Sequence, residues 1–479
     1  MADIPSRSGA PEREKTVVFP DWVMLDRTGL AKCHDDHAAA AAAVSKDITA
    51  VALDTTTGHS CYFSFTLVDP PRVSYLNLHW PEPLAKSVFP AKPVFPTRPY
   101  VLAADKNTLL LSIGPHCKQE SSDLFVYTAG SPSSALRLPA FVNPDVCGSS
   151  LCTFSLGILR LEDRYIVSDL IVPAKRKVIR RTNCNYPIWA KLRVYSPKTG
   201  NWKIIERPIP QLHGQSNAQF PNLWSTDTVL PFDGRFLCWV DYFSGVLLAD
   251  FSRNHSSALR YVPFPGKEYP DRVRVGRLCP GRFRRVSVSR GAMRFVHVDN
   301  EWQETTQIDY DWDYVEGPER KEEPPRRGSK ITIWTLNMVD GGGDFKFAWE
   351  VHRVIILDSL WAQPSYQAEH MPQRLPEFPL VSVDDPDVLC CLVREETFIG
   401  KAWMIMVDMK YAHLLTWTPY INEKVYSAKG TLVDDRRSFF NDQPLLPTVF
   451  SRGLKMPAVQ PAKRRRLVRP ALQHPILPL

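Results

Sequence analysis

The chain holds ten cysteines but no Cys-x-x-Cys pair. Cys147 and Cys152, and the adjacent Cys390 and Cys391, come nearest, and neither has a second half that would complete a zinc site. No hydrophobic run approaches the ~20 residues that a membrane-crossing helix needs. The opening "MADIPSRSGAPEREK" has no apolar core for a secretory signal, and Asp3, Glu12 and Glu14 oppose an organellar transit peptide. These absences predict reduced thiols in a nuclear or cytoplasmic protein with no transmembrane segment. Catalytic patterns are lacking too. There is no nucleophile elbow, paired-histidine motif or spaced carboxylate pair, so neither an enzyme nor a cofactor is expected. "CHDDH" (33–37) sets His34 and His37 three apart, but without a further ligand cluster it reads as a solvated loop rather than a metal site. Glycine is scarce, and its densest stretch, "VDGGGDFK" (339–346), lacks the Lys-Ser/Thr and following helix of a phosphate loop. It reads as a hairpin turn.

What is present is proline and alternation. The chain has 42 prolines against 23 glycines, and 44% of its residues are hydrophobic, enough for a large core. Pro81, Pro139, Pro208, Pro263 and Pro419 follow apolar runs, where a residue without an N–H ends a strand. A unit of strand, alternating strand, polar turn and third strand recurs at 50–81, 123–139, 190–210, 235–265, around 330–352, and at 388–420. About six such copies predict an all-β, propeller-like array of antiparallel blades, because radial packing leaves only short edges unpaired. The sequence divides into a flexible N-terminus (1–16), the propeller-like domain (17–450) and a basic, Pro-rich disordered tail (451–479). The alanine run at 34–47 has helical propensity, but offers little to bury and reads as a loop insertion.

"FLCWVDYFSGVLLADFSRNHSSALRYVPFP" (236–265) resembles the signature of a plant family, expanded in grasses, known as domain of unknown function 1618. Trp239, Asp241, Gly245, Asp250, Leu259, Arg260, Tyr261, Pro263 and Pro265 carry the resemblance. "PDWVMLDR" (20–27), "LVDPPRVSYLNLHWP" (67–81) and "GAMRFVHVD" followed by "ITIWTLNM" agree with it in order. Members often have arginine before the signature glycine, where this chain has Ser244. The layout is also similar to the propellers behind F-box motifs, although no F-box precedes the first strand. The resemblance implies a fold but no activity.

Charge is segregated. Of a net +8, seven positive charges lie in residues 451–479, which contain no acid, so the body is nearly neutral. Within the tail, Lys463, Arg464, Arg465 and Arg466 suit an extended peptide in an importin groove. Eight arginines at 272–294 precede ten acids at 299–323. The plain reading is two neighbouring surfaces that neutralise each other. The sharper one is a partner surface built on Arg274, Arg277, Arg284 and Arg285. The function expected is a non-enzymatic protein-interaction propeller with an unknown protein partner. The alternatives are an enzyme with its site at the propeller mouth, or a nucleic-acid-associated protein acting through the arginine block, with the near-neutral body making nucleic acid a poor fit.

Overall fold

The computed structural model describes residues 18–56, 58–81, 98–114, 122–141, 151, 155–173, 188–209, 220–252, 259–266, 269, 279–299, 327–340, 345–395, 401–420 and 445–455. Its strands are β1 (Val23–Asp26), β2 (Leu30–His34), β3 (Val51–Asp54), β4 (Ser60–Thr66) and β5 (Val73–Pro81). Next come β6 (Arg98–Asp105), β7 (Thr108–Gly114), β8 (Asp123–Thr128) and β9 (Ser134–Arg137), then β10 (Gly157–Arg160), β11 (Tyr165–Ile171), β12 (Ile188–Ser196) and β13 (Asn201–Ile209). β14 (Thr228–Phe232), β15 (Phe236–Asp241), β16 (Gly245–Asp250) and β17 (Arg260–Pro263) make a further set. So do β18 (Arg284–Ser289), β19 (Ala292–Val298), β20 (Lys330–Asp340) and β21 (Phe345–Ile356). The last strands are β22 (Glu377–Val381), β23 (Val388–Arg394), β24 (Ala402–Asp408), β25 (His413–Pro419) and β26 (Leu445–Thr448).

These strands form six blades. Five are four-stranded meanders taken in chain order from β6 to β25. The remaining blade joins the two ends of the ring: β26 pairs antiparallel with β1, β1 and β2 run parallel beside β5, and β4 and β3 complete the sheet. Each recurrent unit of the sequence supplies the outer strands of one blade. β20 and β21 pair antiparallel with Asp340 opposite Phe345, while residues 341–344 of "VDGGGDFK" lie outside the described residues.

Closure follows from where the apolar side chains go. Neighbouring residues of a strand point to opposite faces, and each blade buries both. In β15, Leu237 and Trp239 enter the seam with the preceding blade, while Phe236, Cys238 and Val240 enter the seam with the next. This explains why "FLCWV" is apolar without alternation. Among the described residues six such clusters form, one per seam, and the last, with Met24, Leu380, Cys390 and Leu445, joins the sixth blade to the first. Cys390 and Cys391 are adjacent in one strand and therefore part company, each into a different seam. Burial raises both thiols, Cys390 to about 12.

Three expectations need correction. Prolines do not only end strands: Pro99, Pro231, Pro379 and Pro447 lie inside β6, β14, β22 and β26. These are the innermost strands, whose axial edge carries no full ladder that would need the missing N–H; at β6 only a single bridge, Thr28 to Tyr100, forms there. The alanine run is a helix, α1 (His37–Val44), with Asp36 accepting from the Ala39 amide at its N-cap and Ala40 and Val44 buried. Finally, residues 451–455 are not tail. Residues 450–455 form a 3-10 helix, Phe450 and Leu454 pack in the seam between the first two blades, and Lys455 Nζ donates to Asp21 at 2.9 Å. The ring therefore reaches at least residue 455. Two short helices, α2 (Leu357–Trp361) and α3 (Pro364–Ala368), link β21 to β22.

Candidate functional site

The signature residues hold the fourth blade together. Trp239 is fully buried and its indole N–H donates to the Ser155 carbonyl of the preceding blade at 2.8 Å. Asp241 accepts from the Phe243 and Ser225 amides and the Ser244 hydroxyl, fixing the β15–β16 turn. Ser244 also offers its carbonyl to the Tyr261 hydroxyl at 3.0 Å. Gly245 is required by space, since a Cβ there would stand 2.3 Å from the Val262 carbonyl oxygen. Asp250 pairs with Arg235, and Arg260 donates to the Phe345 carbonyl of the next blade at 2.8 Å. Pro263 ends β17, and Leu259 is buried in the seam with the third blade.

The arginine block does not form one outer surface. Arg284 and Arg285 are buried, because they open β18, the innermost strand of its blade. The guanidinium of Arg284 lies 4.8 Å from the centre of the Tyr269 ring and 5.0 Å from that of Phe295. Arg294 is buried beside Thr335, and Arg282 donates to Glu377. The expected partner surface is thus corrected for Arg284 and Arg285. Arg274 and Arg277, like Lys463–Arg466, lie outside the described residues.

Charge gathers at the axis instead. β1 ends where β26 begins, with Asp26 opposite Leu445. From there Arg27 reaches across the ring, donating to the Leu102 carbonyl of β6 at 2.5 Å and the Thr228 hydroxyl of β14 at 3.2 Å. Arg285 donates to the Leu445 carbonyl. Burial, then the charge of Arg285, lowers Arg27 to about 10. Tyr242, also buried, lies in the field of both cations, and burial raises its phenol. The nearby carboxylates are engaged. Asp26 accepts from the Thr28 amide, Asp227 from the Tyr242 amide, and Glu377 from Arg282 and Arg394. No local motif announces this cluster, which comes from separate blades. Its one sequence signal is a charged pair directly after the buried run "VML".

Two further features stand out. Under α1, His79 accepts or shares hydrogen bonds on both ring nitrogens, with Ser64 Oγ at 3.0 Å and His34 Nε2 at 3.0 Å. The two residues of "CHDDH" that suggested a metal therefore diverge, His34 to His79 and His37 to Tyr62. On the outside, β21 is a twelve-residue edge strand with Val351 61%, Val354 47% and Ile356 40% exposed.

Residues 239–390 match the family model described as Protein of unknown function (DUF1618). No curated protein matches the chain. Among solved structures it is similar to the parainfluenza virus 5 hemagglutinin-neuraminidase ectodomain (8% identical, 84% of this chain and 75% of that one, TM-score 0.32). It is also similar to the WD40 domain of SCAP from fission yeast (9% identical, 85% and 90%, TM-score 0.28). A third is the β-propeller domain of the Trilobed protease from Pyrococcus furiosus (8% identical, 67% and 69%, TM-score 0.25). The six-blade assignment rests on strand pairing and seams, not on these likenesses.

Proposed function

We propose that this chain, whose residues 239–390 belong with the DUF1618 proteins, is a non-enzymatic interaction propeller that presents β21 to an extended segment of a protein partner. The observation that carries this reading is the exposed apolar edge of the fifth blade. A long edge strand offers an unpaired row of backbone N–H and C=O groups, and proteins usually blunt such edges with charge or proline. β21 does carry exposed charge at Lys346 and Glu350, but its C-terminal half also exposes Val351, Val354 and Ile356. An added strand would satisfy the backbone and cover these side chains, the mode called β-augmentation. The axial groups fit binding better than catalysis, since arginines stay charged at neutral pH and shuttle no proton. The stretch Lys463–Arg466 supplies a route to the nucleus through importin, so the partner is sought in both nucleus and cytoplasm.

The test is proximity labelling in cells with the full chain, its Val351→Lys/Val354→Lys variant, and a form lacking residues 461–470. The valine variant retains the wild-type melting temperature and loses a specific set of labelled neighbours. An identical labelled set for wild type and variant refutes the outer-strand reading. A concentration-dependent dimer that the variant abolishes refutes it as well, by making the occupant a second copy. Unchanged location without residues 461–470 removes the import role.

A further inference from the structure

The axial cations have more donors than the protein gives them acceptors. Arg27 and Arg285 come from different blades and stand close enough for the charge of one to act on the other. Each makes hydrogen bonds that fix its position, Arg27 to β6 and β14 and Arg285 to β26. Among the described residues, however, Arg27 Nε and Arg285 Nη1 are buried and meet no acceptor. Arg285 is only 4% exposed. A buried donor left unmade on a charged group is costly, and two such cations held together are more so. Of the carboxylates near them, Asp26 accepts from the Thr28 amide through Oδ1 alone, and Asp227 accepts from the Tyr242 amide. Asp241 is occupied by its own turn.

We propose that Arg27 and Arg285 form an axial site for a compact phosphate-class dianion, either inorganic phosphate or a phosphate monoester. Guanidinium donors match tetrahedral oxyanions, and fixed forks lose little freedom on binding. A tetrahedral oxyanion can accept from both forks at once, which favours phosphate over a single carboxylate. The innermost strands crowd the axis, so the group is small. It enters past Arg27, the half-buried member of the pair. This inference does not depend on the outer-strand reading.

The experiment uses the purified full chain in buffers of equal ionic strength containing inorganic phosphate, glycerol phosphate, acetate or chloride. Thermal melting and phosphorus NMR linewidths are followed as each is titrated. The expected result is a saturable rise in melting temperature and line broadening with phosphate or its monoester, but not with acetate or chloride. The comparison of free phosphate with the monoester identifies which form the site takes. In Arg27→Gln and Arg285→Gln the apparent Kd weakens at least tenfold. Should Arg285→Gln fail to fold, Arg285→Lys keeps the charge, loses the fork and weakens binding at least threefold. Equal responses to phosphate and chloride in the wild type overturn the proposal. So does an acetate response equal to that of phosphate, or a phosphate response preserved in every folded variant.

Discussion

Acid should loosen the first blade through His79. The imidazole is buried between Ser64 and His34, and burial, then the charges of Lys32 and His34, lower it to about 4 from an ordinary 6.5. The unfolded chain therefore takes up this proton near pH 6.5, while the folded chain holds it off until about pH 4. Between those values the unfolded state binds more protons, so stability rises with pH across the window and falls as the solution is acidified. Linkage sets the loss between pH 7 and 4.5 at about 2.4 kcal/mol before screening. Because His34 is partly exposed and solvent screens the pair, about 1.5 kcal/mol is the better expectation. Carboxylates titrate in the same range, so the measurement is a difference: urea unfolding of wild type and His79→Gln at pH 7, 6, 5 and 4.5. Glutamine can still bond Ser64 but does not titrate. The wild type should lose about 1.5 kcal/mol more than the variant over the window. Parallel pH profiles would refute the reasoning, because His79 would then carry no differential proton.

Asp105 runs the other way. Burial raises its carboxyl to about 6 despite the Arg160 amide at 2.6 Å, so its ionisation costs stability above that pH. Asp105→Asn should be more stable than wild type by about 1–2 kcal/mol at pH 8, the gap closing below pH 4 when the same melts are compared. Trp239→Phe removes the bond to Ser155 and part of a fully buried ring; denaturant melts should show a loss of about 2–3 kcal/mol. Gly245→Ala forces a Cβ against the Val262 carbonyl and should cost ~2 kcal/mol or more, read as a lower melting temperature.

The outer strands of each blade were legible because they are long, β-branched and closed by turn residues, as in Ile188–Ser196 and Asn201–Ile209 around "SPKTGN". The innermost strands were not. "TVLPF", "EFPLV" and "LLPT" are short and carry a proline, and only the ring's axial edge makes that tolerable. The helix at 37–44 was missed because propensity alone does not show what two small apolar side chains could cover; the answer is the polar face of β4 and β5 that holds Ser64 and His79. Signature residues such as Trp239 and Gly245 were visible as a pattern, and they turn out to bind blades together. Arg27 and Arg285 could not be paired from sequence, since 257 residues of unrelated pattern separate them. Their relation is created by closure and by nothing local.

That closure has a consequence for how the protein is made. The strand that seals the first blade, Leu445–Thr448, leaves the ribosome long after its partner Val23–Asp26. Throughout synthesis the leading blade waits with its inner edge open and the apolar side chains of its outer seam uncovered. Contacts between residues so far apart in sequence form slowly. A ribosome that stalls before residue 445 therefore leaves not a shorter propeller but an unlatched one, exposed to any stray strand and to the quality-control machinery.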